Sequence, residues 1–143
     1  MNDYRHGSHT KFLIHLHLVW ITKYRKPVLK GALAHRVREL TREICTRNDV
    51  EIITGHIASD HVHLFVSIPP QVTISRFVQK LKGKTSHKLL GEFPHIRKVY
   101  WGRHFWARGY FCCSSGNVTD DVIQQYIENQ QNDTDDAFKI DGE

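Results

Sequence analysis

The segment SDHVHLFVSIPP, residues 59–70, sets His61 and His63 two positions apart in a stretch that reads as a strand. Side chains alternate along a strand, so Val62, Leu64, Val66 and Ile68 share one face and His61, His63, Phe65 and Ser67 the other. With the aliphatic face turned to the core, both imidazoles stand on the opposite face. Their Cα atoms are then about 6.6 Å apart, near enough for two rings to converge on one cation. The spacing alone does not decide, because His15 and His17 repeat it on an earlier strand, and such pairs are more often solvated or hydrogen-bonded than metallated. A second pair lies near the C-terminus. Tyr126 and Gln130 are four apart on a helical segment, so a phenol and an amide oxygen are presented one turn from each other. Packing of Tyr126 with Val122 and Ile127, with Gln130 facing water, accounts for that pair equally well.

These residues need elements to hold them. In HTKFLIHLHLVWITKYR, Phe12, Ile14, Leu16, Leu18 and Trp20 alternate with Leu13, His15, His17, Val19 and Ile21, which predicts one strand with two filled faces at the centre of a sheet. GALAHRVRELTREICTRND offers Leu33, Val37, Leu40 and Ile44 at helical spacing. VEIITGHIA and HVHLFVSI read as two strands joined tightly at Ser59 and Asp60, and Pro69 and Pro70 end the second. From Thr73 a helix turns Ile74, Phe77, Val78, Leu81 and Leu89 inward and Lys80, Lys84 and Lys88 outward. HFWARGYFCCSSG predicts a fourth strand, with Trp101, Trp106 and Tyr110 as packing residues. NVTDDVIQQYIENQQ predicts a last helix, with Thr119 as N-cap, Val118 and Ile123 as a hydrophobic staple, and Asp120 and Asp121 at its positive end. The order β-α-β-β-α-β predicts an α+β chain: a ferredoxin-like split βαβ sandwich whose antiparallel sheet carries both long helices on one face, followed by a C-terminal helix bearing the tyrosine.

Composition bounds what such a chain does. With 143 residues and 40% hydrophobic content it fits one domain. The expected boundaries are a flexible N-terminus over 1–10, a folded domain over 11–131 and an acidic tail over 132–143. No run approaches a membrane span and MNDYRHGSHT lacks the apolar core of a secretory signal, so a cytoplasmic protein is expected. Three cysteines, two of them adjacent at 112 and 113, give neither a disulfide framework nor a C-x-x-C metal site. The net charge is +5, and residues 131–143 hold five acids against Lys139, so the rest of the chain is strongly basic. That excess suits a polyanion, since phosphates neutralised by Lys or Arg release condensed counterions. No G-x-x-x-x-G-K-[ST] loop is present for nucleotide use.

LVWITKYRKPVL, SDHVHLFVSIPP, FVQKLKGKTSHKL, FWARGYFCCSSG and YIENQ, in this order over residues 11 to about 131, together resemble the IS200/IS605 transposases. These are single-tyrosine members of the HUH (His, hydrophobic, His) nucleases that act on single-stranded DNA. The resemblance implies that His61, Val62 and His63 form the HUH motif, that Tyr126 is the nucleophile and that Gln130 is a further metal ligand. Two neutral imidazoles and an amide oxygen bring no negative charge, so Mg²⁺ or Mn²⁺ would keep its positive charge for the scissile phosphate. A tyrosine in place of water would keep the reactive phosphodiester as a 5′ phosphotyrosine, and cutting becomes strand transfer.

The implied protein is a DNA strand-transferase that recognises hairpins near element ends, working as a homodimer whose active sites are completed in trans by the partner's tyrosine helix, SSGNVT serving as hinge. Lys23, Tyr24, Arg25 and Lys26 combine basic and aromatic groups suited to phosphate contact and base stacking. Lys80, Lys84, Lys88 and His87 are the next candidates for DNA contact. The sequence leaves His15 and His17 open between support of the metal site and DNA contact. Two other classes fit the same residues: a noncatalytic single-stranded nucleic-acid-binding module, which needs no metal, and a metal-dependent phosphoesterase, which survives loss of the Tyr126 hydroxyl.

Overall fold

A computed structural model describes residues 4–100, 104–114 and 120–133. The sheet that carries the histidines has four antiparallel strands in the order β4-β5-β3-β6, formed by β3 (His15–Ile21), β4 (Glu51–Ile57), β5 (His61–Ser67) and β6 (Phe111–Cys113). With α1 (Gly31–Arg47) between β3 and β4 and α2 (Ile74–Glu92) between β5 and β6, this is the ferredoxin-like arrangement expected from the sequence. The strand β3 is central, as its two apolar faces predict, pairing with β5 on one side and β6 on the other.

Both long helices lie on one face. Leu16, Leu18 and Trp20 of β3 and Val62, Leu64 and Val66 of β5 form a single buried cluster with Leu33, Val37, Leu40 and Ile44 of α1 and Phe77, Val78, Leu81 and Leu89 of α2. An Arg36 to Glu92 pair, 2.8 Å from Nε to Oε1, links the two helices at the surface. The turn at Ser59 and Asp60 is tight, with the Ala58 N–H donating to the His61 carbonyl at 2.9 Å. A bulge between Ile52 and Thr54 takes Ile53 out of the ladder and brings Gly55 opposite Leu64 on the helix side.

Several local expectations change. The first strand is not continuous: Lys11–Phe12 is β2, pairing with β1 (Arg5–His6), and β3 starts only at His15. This small hairpin occupies part of the N-terminal stretch expected to be flexible. It is tied down by Arg5, which donates to Ser67 O at 3.1 Å and to Asp49 Oδ1 at 3.0 Å and pairs with Glu51 at 3.1 Å. At the other end β3 stops at Ile21, because Tyr24 and Arg25 take positive φ angles of 60° and 54° and curl Lys23–Arg25 into a short hook. The fourth strand shrinks to β6, with an isolated bridge from Thr22 to Trp106 upstream of it. A short helix, α3 (Pro94–Val99), precedes it. Trp106 is a packing residue as expected, its Nε1 donating to Thr85 Oγ1 at 2.8 Å.

The last helix, α4 (Asp120–Asp133), does not leave the second sheet face bare. Ile127 is buried with Val19, Ile21 and Ala107, and Phe111 and Tyr126 pack against that cluster. Trp101, the capping pattern at Val118 and Thr119, the hinge residues 115–117 and residues 134–143 of the acidic tail lie outside the described residues. No helix among the described residues is long and apolar enough to cross a membrane.

Candidate metal and nucleophile site

Register fixes which side chains share the face opposite the long helices. Ile21 is paired with His61, Val19 with His63, and His17 with Phe65. Phe111 of β6 is the other partner of Val19, and His56 of β4 the other partner of His63. One row across the sheet therefore reads Phe111, Val19, His63, His56, with His61 one pair along. The expectation that His61 and His63 share this face holds.

His61 is held through one nitrogen. Its Nδ1 lies 2.8 Å from Asp60 Oδ1, and the other carboxylate oxygen of Asp60 lies 3.2 Å from Arg25 Nε. Burial alone would raise the Asp60 pKa, but the hydrogen bond from His61 and the charges of His61 and Arg25 outweigh it and hold the carboxyl below its ordinary value. His63 is held from the other side: its Nε2 lies 3.0 Å from Nδ1 of His17. His17 is itself buried, stacks on Phe65 at 4.4 Å, and has its pKa lowered by burial. His15 stands edge-on to the same phenyl ring at 5.3 Å. The two histidine pairs are thus one connected cluster, with His56 6.5 Å from His61 between ring centres.

Tyr126 packs on Phe111, ring centres 5.5 Å apart, and its helix α4 lies against β3, the neighbour of the strand bearing His63. Its hydroxyl is buried with no hydrogen-bond partner among the described residues, and burial pushes its pKa well above the ordinary phenol value. Gln130 belongs to the last turn of α4, and its side chain lies outside the described residues. Among those residues no three His, Cys, Asp or Glu side chains converge as a metal site.

Two imidazole donors on one face nonetheless fit a divalent ion in their chemistry. His61 has Nδ1 fixed by a carboxylate, the arrangement that leaves Nε2 as the metal-binding lone pair. Coordination through Nε2 of His63 would exchange its bond to His17 for a bond to the ion.

The basic candidates lie at the end of β3, where Tyr24 packs against the core on the helix side, and on α2. The hook of Lys23, Tyr24 and Arg25 leaves β3 just after Ile21, the partner of His61. The Lys23 and Lys26 ammonium groups lie 5.3 and 5.8 Å from the centre of the Tyr24 ring. Lys80, Lys84 and Lys88 are exposed on α2, across the sheet from the histidines. Sequence reasoning gave no role to Asp60 beyond its turn, nor to His56 or Phe111. The signal for Asp60 was its place beside His61 in a two-residue turn.

The sequence profile of the family described as "Transposase IS200 like" matches residues 10–130. The chain is 34% identical over 128 residues to the ISDra2 transposase TnpA of Deinococcus radiodurans, covering 90% of this chain and 91% of that protein. It is also 34% identical over 130 residues to the transposase for insertion sequence element IS200 of Salmonella typhimurium, covering 91% and 85%. Among solved structures, a putative transposase from Deinococcus radiodurans R1 superposes with a TM-score of 0.81 at 35% identity, over 88% of this chain and 97% of that one. A REP-associated tyrosine transposase bound to a REP hairpin superposes with a TM-score of 0.55 at 13% identity, over 92% and 72%, a likeness of fold.

Proposed function

The chain belongs to the IS200-like transposase family, and from that membership we propose that it cuts and rejoins single-stranded DNA at hairpin-marked element ends, with Tyr126 as the nucleophile. The observation that carries the proposal is the shared face: His61 and His63 stand on it, and α4 brings Tyr126 to the same side of the sheet.

In the cleavage step the Tyr126 oxygen attacks the scissile phosphorus, a Tyr O–P bond forms, and the P–O3′ bond breaks. The phenol proton is lost and the leaving 3′ oxygen gains one. The number of phosphoester bonds is unchanged, so a free 3′-OH can later attack the phosphotyrosine and release the tyrosine. A divalent ion, Mg²⁺ or Mn²⁺, would be held by His61, His63 and Gln130 and would supply Lewis-acid polarisation of a non-bridging phosphate oxygen. The residues of the chain do the rest. Asp60 and His17 hold the two imidazoles. Lys23, Tyr24 and Arg25 guide the strand toward His61 by phosphate contact and base stacking. Lys80, Lys84 and Lys88 take the hairpin on the other side of the sheet.

Tyr126 is set on Phe111 with its hydroxyl buried, and burial raises its pKa. In the working homodimer the partner's α4 completes each site. The test uses Tyr126→Phe, which removes only the hydroxyl. With Mg²⁺ and a single-stranded oligonucleotide carrying an element end, the wild type should give a cut strand and a denaturation-resistant protein–DNA adduct, and the variant should give neither. Cutting retained in the variant would point to hydrolysis by water and against this reading. Binding with no cutting by the wild type would point to a noncatalytic module.

A further inference from the structure

Main-chain contacts help to hold the turn at Asp60. The Asp60 carbonyl accepts from Thr22 N at 3.0 Å and from Thr22 Oγ1 at 3.3 Å, and Leu29 N donates to Ser59 O at 2.8 Å. The carboxylate is left to bridge two side chains, 2.8 Å to His61 Nδ1 and 3.2 Å to Arg25 Nε. All three groups are sheltered, with side-chain exposures of 17% for His61, 22% for Asp60 and 29% for Arg25. An ionised carboxylate only accepts, so the nitrogen facing it carries the proton and the opposite nitrogen of a neutral ring carries the lone pair.

We propose that Asp60 is a positioning residue for divalent-ion binding: it locks His61 as the Nδ1–H tautomer with Nε2 presented, while Arg25 fixes the second carboxylate oxygen. The proposal rests on the reading of His61 as a ligand. The site is then set before ion or DNA arrives. Arg25 has a part in this as well as in DNA contact, so the hook at the end of β3 and the metal site share a carboxylate. An Asn at position 60 keeps the shape, but its amide can donate to Nδ1 and favour the tautomer with the proton on Nε2, hiding the lone pair.

The test is made on the full chain. Long-range ¹H–¹⁵N spectra of the metal-free protein report the His61 tautomer, and electron paramagnetic resonance of free Mn²⁺ reports the affinity for that ion. The wild type should show His61 with the proton on Nδ1. Asp60→Asn should move the proton wholly or partly to Nε2 and weaken Mn²⁺ binding by about 10- to 100-fold. Arg25→Gln should weaken it by less, and hairpin binding in the absence of metal should survive Asp60→Asn. Asp60→Ala is the second variant if thermal melting shows that Asp60→Asn disturbs the fold, and it should also weaken Mn²⁺ binding. A His61 tautomer and Mn²⁺ affinity unchanged in both Asp60 variants, while His61→Ala loses the ion, would overturn the proposal. Undiminished Mn²⁺ binding by His61→Ala would instead remove the ligand reading beneath it.

Discussion

Two histidine pairs with identical spacing have different surroundings. His15 and His17 press on the Phe65 ring, whereas His61 lies against a carboxylate at the start of β5. His61→Ala or His63→Ala should therefore lower strand cleavage by at least about 10²-fold, ~2.7 kcal/mol of transition-state stabilisation, while hairpin binding persists because the proposed phosphate contacts are on other residues. Cleavage assays in Mg²⁺ beside gel-shift assays check this, and wild-type cutting by either variant would reject that residue as a ligand. His15→Ala should be milder, since its ring touches a phenyl edge and not the ligand pair. The common face of His61 and His63 was legible because alternation on a strand survives in a bare sequence. The bonds from Asp60 to Arg25 and from His17 to His63 were not, because they join residues 35 and 46 positions apart and depend on the strand register.

At the scale of elements, the segment that leads into β6 is fastened to α2 by side-chain hydrogen bonds, among them one from Phe105 N to Ser86 Oγ at 3.1 Å. Trp106 bonds to Thr85, and the half-buried Lys82 reaches the main-chain oxygens of Ala107 and Gly109, 2.7 Å from each. Burial pushes the Lys82 ammonium down to about 8, against about 10.4 in an unfolded chain. Below pH 8 both states are protonated and the folded chain bears the full cost of burying the charge. Between those values only the unfolded state keeps the proton, so stability from this group rises with pH, by up to about 1.4 kcal/mol per unit. Lys82→Met should lose that rise, read as flatter urea-unfolding free energies between about pH 8 and 10. Parallel pH profiles for wild type and variant would contradict the burial argument. The long elements α1, α2, β4 and β5 were legible because their apolar periodicity is set by burial on one side. The hook at Tyr24 and Arg25 was not, since positive φ at non-glycine residues has no compositional signature. Nor was the shortness of β6, whose pairing is limited to His17, Leu18 and Val19.

At the scale of the whole molecule, α4 rests on its own sheet through Ile127, with the Tyr126 hydroxyl buried beside Phe111. A helix docked on its own sheet can be exchanged for its counterpart in a partner, and a two-fold dimer would give two equivalent sites for the two ends of an element. Mixing His63→Ala subunits with Tyr126→Phe subunits under exchange conditions should restore cleavage, because each mixed dimer with trans sites holds one intact site and one with both lesions. No restoration, or a monomer by sedimentation at working concentration, would exclude the composite arrangement. The central claim is tested most directly by mass spectrometry of the DNA-linked peptide after cleavage in Mg²⁺ and tryptic digestion. Trypsin leaves residues 109–139 as one peptide that holds both Tyr110 and Tyr126, so fragment ions must place the nucleotide. The 5′ phosphate is predicted on Tyr126. A phosphate on Tyr110 or any other residue, or a cut strand with no linked peptide at all, would contradict it.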